Sequence, residues 1–323
     1  MLLKEYNMKK IYEFLLWNNC SNNCTFCHQR AHERKVDDKI LLPKEQIESL
    51  LTCQEFLKSD KFEKGNHILL VGGEIFDTTN FEVKIVLRDL LVQVLNWMEQ
   101  NIIDLFYINT NLLYTNTDLL CDFLDKVQEK QLFSRLKFTT SYDIVGRFTS
   151  KERELLFYHN LKALTDKYLD LNIVVNTVLT NEACKRIQEN HFGADYLLEY
   201  LKEQNKEIWT IKDWIEYFKV QINTIPYIKL PYDLAPEMPT KSMVFNTLLH
   251  IESLIPNYLK EYAENIALTQ EKLLWEYNKL DKEFKYCSSK LANCGHSVNF
   301  QLSFKDSDEC FPCAIKKLAK YKA

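Results

Sequence analysis

Apolar residues come in short runs that alternate with longer amphipathic stretches. Residues 11–17 are apolar and aromatic and predict a buried strand. Pro43 opens a helical stretch with Ile47, Leu50, Leu51 and Leu57 at helical spacing. Residues 68–71 form a second apolar run, followed by Gly72-Gly73, and residues 81–98 have the spacing of a second amphipathic helix. Strands are expected again at 104–108, 136–140, 171–178 and 220–228, with a helix at 117–128. Thr149 and Glu152 read as a capping box for a further helix reaching about Tyr168. Two or three helical pieces separate the fifth and sixth strands. Strand–helix alternation repeated in this way predicts an α/β protein with a parallel sheet.

The texture changes after the sixth strand. Four of the seven prolines, Pro226, Pro231, Pro236 and Pro239, fall in one short stretch. This predicts a stiff connector and a boundary between residues 1–232 and a mainly helical extension at 233–323. Helices are expected there at 241–254 and 258–277, followed by a tail with four cysteines.

Two counts change this picture. Six glycines are present, where average usage of about 7% gives roughly twenty-three. That excludes glycine-rich disordered or collagen-like architectures and makes the single adjacent pair, Gly72-Gly73, worth a physical reason. Ten cysteines are many for an intracellular enzyme of 323 residues. The formal charge of -4 gives no footprint for nonspecific nucleic-acid or anionic-membrane binding. No apolar run resembles a signal-peptide core or a membrane span, so a cytoplasmic protein without membrane association is expected. In a reducing compartment, cysteines are more often metal ligands or core residues than disulfides.

The loop after the first strand reads Cys20-Ser-Asn-Asn-Cys24-Thr-Phe-Cys27-His28. Three close thiolates suit three irons of a [4Fe–4S] cube and leave the fourth iron open to a ligand. The alternative is zinc, with His28 or a remote residue as fourth ligand. His28, Arg30 and His32, which follow, could tune such a site or simply solvate the loop. In the tail, Cys287 and Cys294 precede Cys310-Phe-Pro-Cys313, whose spacing lets two thiolates converge on one metal. His296 is a spare ligand or replaces Cys287. A closed zinc site, an auxiliary iron–sulfur cluster and scattered free cysteines all fit this tail. Cys53, Cys121 and Cys184 lie singly in helical patterns and are read as core residues. His67, His159, His191 and His250 are unclustered and are read as structural or exposed.

The C-x3-C-x2-C spacing, with Phe26 before the last cysteine, resembles the signature of the radical S-adenosylmethionine (SAM) superfamily. The resemblance covers about residues 10–230. It implies a partial (β/α)6 barrel of the radical SAM type, here with a mainly helical, metal-binding C-terminal extension. It implies that Cys20, Cys24 and Cys27 hold a [4Fe–4S] cluster whose unique iron chelates SAM. One electron from the reduced cluster then cleaves SAM to methionine and a 5′-deoxyadenosyl radical, which abstracts hydrogen from substrate. Gly72-Gly73-Glu74 matches the family's motif for the SAM amino group. The family also places polar SAM contacts where Asn109, Ser141, Asp143, Arg147 and Asn176 stand, with Asn176-Thr177 read as a polar pair facing one rim. The spaced-glycine adenine motif of the fifth strand is absent.

The resemblance implies a one-electron donor such as flavodoxin or ferredoxin. By analogy with cysteine-extended members, a peptide or protein side chain is the expected substrate, with a nucleotide or nucleic-acid base second. No separate leader-binding domain is expected, because the first strand begins so near residue 1. The auxiliary-cluster spacing of such members is not matched, which favours zinc in the tail. A non-catalytic zinc adaptor with structural cysteine sites is the alternative of a different class.

Overall fold

The computed structural model describes residues 11–17, 19–22, 24, 41–204, 206, 210–226, 239–256 and 303–305. Six strands, β1 (Ile11–Leu15), β2 (Asn66–Val71), β3 (Ile103–Asn109), β4 (Leu136–Ser141), β5 (Ile173–Leu179) and β6 (Gln221–Pro226), pair in parallel in sequence order. A short strand, β7 (Ser303–Lys305), joins the free edge of β1 antiparallel. The helices are α1 (Pro43–Lys58), α2 (Phe81–Glu99), α3 (Asp118–Glu129), α4 (Lys151–Lys167), α5 (Asn181–Gln188), α6 (Asp195–Glu203), α7 (Ile211–Phe218) and α8 (Lys241–Leu254). Sequential parallel strand order, with the right-handed crossovers that parallel connections follow as a rule, puts successive helices on the same side of a sheet.

The two faces of the sheet differ in chemistry. One is packed with Tyr12, Phe14, Ile68, Leu70, Phe106, Ile108, Phe138, Ile173 and Val175, all nearly inaccessible. Period-2 alternation sends their neighbours to the other face. There His67, Tyr107, Ser141, Asn176 and Asn223 are only half buried and Asn109 is exposed. The polar residues near the ends of β3, β4, β5 and β6 therefore gather on the face with less apolar cover. Ser141 is in register with Asn176, and Asn176 with Asn223.

Helix starts follow their caps. Pro43 stands at the first position of α1, where its missing N–H costs nothing. Asn80 caps α2 by accepting from the Val83 amide. For α4 the cap is Ser150, whose Oγ accepts from the Arg153 amide, one residue later than the Thr149 box expected from sequence. Among the described residues beyond position 232, those of α8 share this core. Val244, Leu248 and Ile251 of α8 are buried in it, and Gln188 of α5 donates to Thr247 at 2.7 Å. The expected helix at 258–277 lies outside the described residues.

Candidate functional site

The ends of β1 and β2 stay hydrogen-bonded beyond their last strand residues. Leu16 N donates to Val71 O at 2.9 Å, Gly73 N to Trp17 O at 2.8 Å, and Glu74 N to Asn19 O at 2.9 Å. This places Gly72-Gly73-Glu74 alongside the segment that leads into Cys20. Gly72 has a specific reason to be glycine. A Cβ there would lie 2.8 Å from Trp17 O and 3.3 Å from Ile75 Cγ2. Backbone cannot retreat as a flexible side-chain tip can, so Gly72→Ala must part the two segments. A loss of about 1–3 kcal/mol is expected in denaturant unfolding, with weaker metal loading at the adjoining loop.

Asn19 closes the base of the loop. Its Nδ2 donates to Leu41 O at 2.9 Å and its Oδ1 accepts from Leu41 N at 3.0 Å, so the chain leaves and returns at one point. Within the loop, Cys20 and Cys24 are thiols outside any disulfide, Cys20 partly exposed and Cys24 buried. Asn22 sits between them, 2% exposed. Its backbone N–H points to Cys20 Sγ at 3.4 Å. Its Nδ2 donates to Cys24 Sγ and to Arg147 O, each at 3.0 Å. Arg147 is also paired with Asp143, so the loop after β4 carries an anchor of the cysteine loop.

Glu74 is the buried hub of the site, 2% exposed. Its carboxylate accepts from Phe76 N at 3.1 Å, from Thr110 Oγ1 at 3.0 Å and from Asn111 N at 2.5 Å. Its carbonyl accepts from Trp17 Nε1 at 3.3 Å. Burial pushes its carboxyl up to about 7, against the pull of those donors. The resemblance implies that a carboxylate or a carbonyl of this motif accepts from the SAM ammonium. The Glu74 carboxylate fixes the turn after β3, where Leu112 adopts a positive φ of 56°. From that turn, Asn111 Nδ2 reaches Cys20 Sγ at 3.3 Å.

The other residues singled out from sequence fall in two groups. Asn109, Ser141 and Asn176 lie on the half-buried polar face, where Asn109 accepts from Thr139 and Asn176 from Asn223 at 2.9 Å. Thr177 does not share that rim with Asn176. Alternation turns it to the helix-covered face, where it is fully buried. Asp143 lies past the end of β4 and is 1% exposed. It accepts from Arg147 Nε and from Val178 N, so Asp143 and Arg147 are partners of each other. Burial raises the Asp143 carboxyl above its ordinary value, while Arg147 and the Val178 amide pull it down.

Cys27, His28, Arg30 and His32 lie outside the described residues, as do Cys287, Cys294, His296, Cys310 and Cys313. Among the described residues no group of three His, Cys, Asp or Glu side chains is gathered to hold a metal. The donor chemistry at Cys20 and Cys24 nevertheless suits an iron–sulfur group. Thiolate sulfur is the ligand such clusters take, and amide N–H groups aimed at sulfur complement its negative charge. Cys53 and Cys184 are buried at helical positions, and desolvation pushes both thiols above their ordinary value, against thiolate formation. Cys121 is partly buried against the core.

Two contributors were not recognised from sequence, Asn19 and Asn22, whereas Asn111 belongs to the polar segment Asn109-Thr110-Asn111 at the end of β3, which resembles the family's segment there. The signal available was the density of asparagine around the first two cysteines, at positions 18, 19, 22 and 23. His67 also has partners. Its Nε2 lies 3.3 Å from Asp104 and its Nδ1 3.5 Å from the Tyr107 hydroxyl, where a register shift re-aims the β3 strand. Among the described residues, no helix is long and apolar enough to cross a membrane. No protein-family model and no curated protein matches the chain.

Proposed function

We propose that this chain is a radical SAM enzyme acting on a peptide or protein side chain. Cys20, Cys24 and Cys27 would hold its [4Fe–4S] cluster. The observation that carries this reading is the juxtaposition at the ends of β1 and β2. Two cysteines that are not in a disulfide receive amide N–H bonds beside a glycine pair that admits close backbone contact. The sequential parallel strand order suits a partial barrel, and the strand-end position suits catalysis in folds of that kind.

When bound, the cluster supplies the electron that cleaves SAM reductively to methionine and a 5′-deoxyadenosyl radical. The chain's own residues bind, orient and exclude water. Gly72 lets the β2 loop close on the β1 loop. Glu74 acts as a positioning residue that holds Thr110 and Asn111 beside the cysteines. The Asp143–Arg147 pair braces the loop from the β4 side through Asn22. Asn109, Ser141, Asn176 and Asn223 offer amide and hydroxyl groups suited to a polar ligand. An external one-electron donor of flavodoxin or ferredoxin type completes the cycle. The tail cysteines Cys287, Cys294, Cys310 and Cys313 would hold zinc or a second iron–sulfur cluster.

Metal and sulfide analysis of the anaerobically purified full chain tests this reading. About four irons are expected at the first site. A Cys310→Ala/Cys313→Ala variant should keep those irons and lose either zinc or a second set of iron and sulfide. Zinc without iron in the unmodified protein would overturn the radical reading in favour of the adaptor.

A further inference from the structure

Two carboxamides meet the cysteine sulfurs, and the orientation of each is settled by its second partner. Oxygen and nitrogen of an asparagine are assigned from hydrogen-bond partners rather than seen directly. The Leu113 backbone N–H can only donate, so the Asn111 atom facing it at 2.8 Å must be Oδ1. That leaves the Asn111 NH2 to face Cys20 Sγ at 3.3 Å. The Arg147 carbonyl can only accept, so the Asn22 atom facing it at 3.0 Å must be Nδ2. The same NH2 meets Cys24 Sγ at 3.0 Å. Neither amide can flip without setting carbonyl against carbonyl or N–H against N–H.

Both donors are also held in place. Asn111 is 9% exposed and its backbone N–H is bound by Glu74, while Asn22 is 2% exposed. A neutral thiol is a weak acceptor, and a thiolate bound to a cluster is a strong one. Two buried, oriented NH2 groups are better matched to the charged acceptor.

We infer that Asn22 and Asn111 are positioning residues that tune the electron affinity of the cluster through N–H···S hydrogen bonds to Cys24 and Cys20. The inference rests on the iron–sulfur reading above. Reduction adds negative charge that spreads onto the sulfurs, so donors aimed at sulfur favour the reduced state and raise the reduction potential. The two asparagines come from different loops, so the β1 and β3 loops jointly set how readily the site takes its electron.

The test is an EPR-monitored redox titration of the reconstituted full chain. Asn111→Asp keeps the acceptor for Leu113 N and replaces the donor with charged oxygen. It should make the reduction equilibrium at least about tenfold less favourable, a fall of about 59 mV for a one-electron couple. Asn111→Leu, of similar shape and without charge, should move it in the same direction by less. Asn160→Leu removes two bonds to the Leu112 and Tyr114 carbonyls of the same turn without touching sulfur or Glu74, and should leave the potential unchanged. A purely structural role predicts equal shifts in Asn111→Leu and Asn160→Leu, and that result would overturn the inference.

The unmodified chain provides a second readout that needs no variant. With asparagine labelled with 15N at the side-chain amide, the reduced cluster should show 15N hyperfine couplings in pulsed EPR. Their absence beside an intact cluster also overturns the inference and leaves the cluster assignment standing. If the unmodified chain assembles no cluster, the functional reading itself fails.

Discussion

Replacing Cys24 by alanine should strip iron from the first site while leaving the chain folded. Cys24 is 9% exposed and contributes one sulfur to the packing, so its removal costs about 1 kcal/mol in a site that can relax. Asn22 keeps its bond to the Arg147 carbonyl, which preserves the link between the β1 and β4 loops. A [4Fe–4S] cube held by two protein thiolates in place of three lacks a ligand on a second iron. Iron at this site should fall from about four per chain to near zero, with loss of reductant-dependent SAM cleavage. Cys20→Ala should do the same. Cys53→Ala and Cys184→Ala are the controls. Their thiols are buried and disfavoured as thiolates, so iron loading should be unchanged. Iron quantified beside near-ultraviolet circular dichroism separates loss of a ligand from loss of the fold. Equal iron in Cys24→Ala and the unmodified chain would remove Cys24 from the site.

The second large effect is expected at Glu74. Its carboxylate takes donors from Phe76, Thr110 and Asn111 in a fully buried position, so Glu74→Ala leaves them without that partner. Stranding buried donors costs about 1–3 kcal/mol each, so a loss of about 3–5 kcal/mol is expected. Glu74 also imposes a pH dependence whose sign follows from its raised pKa. The folded value is about 7 against an ordinary 4.5, so between those values the folded state holds more protons than the unfolded state. This contribution to stability is fully present below pH 4.5 and is lost as pH rises through 7. At about 1.36 kcal/mol per unit, it amounts to about 3 kcal/mol. Urea unfolding at pH 5 and pH 8 checks it. The stability difference between the two pH values should be smaller in Glu74→Gln than in the unmodified chain by about that amount. Equal differences would show that Glu74 ionises normally in the fold.

The strands were legible because each buried run is short and apolar and is bounded by polar residues at the turn. Residues 68–71 fall within Asn66–Val71, and 104–108 within Ile103–Asn109. Alternation places Asn109, Ser141 and Asn176 on one face, because period 2 is a property of the strand itself. It does not carry to Asp143, which lies beyond the end of β4 at Ser141. The α4 cap was displaced by one residue because Thr149 and Ser150 are adjacent and both can cap. Only the backbone angles of Ser150 decide between them.

The supports of the cysteine loop were not legible, because they join residues far apart in sequence. Asn22 and Arg147 are 125 positions apart, and Cys20 and Asn111 are 91 apart. Glu74 shows the same limit. Its position in the motif was visible, but the direction of its carboxylate depends on where the β3 turn lies. Gly72 was singled out for its rarity, while the atom that excludes a side chain there belongs to Trp17, in the segment that follows β1.

The most direct measurement of the central claim is the formation of 5′-deoxyadenosine from SAM by the anaerobic, iron-loaded chain. The nucleoside should appear only when a strong one-electron reductant is added, and it should be absent from Cys20→Ala and Cys24→Ala. A chain carrying about four irons at the first site that yields no 5′-deoxyadenosine under reduction would contradict the account.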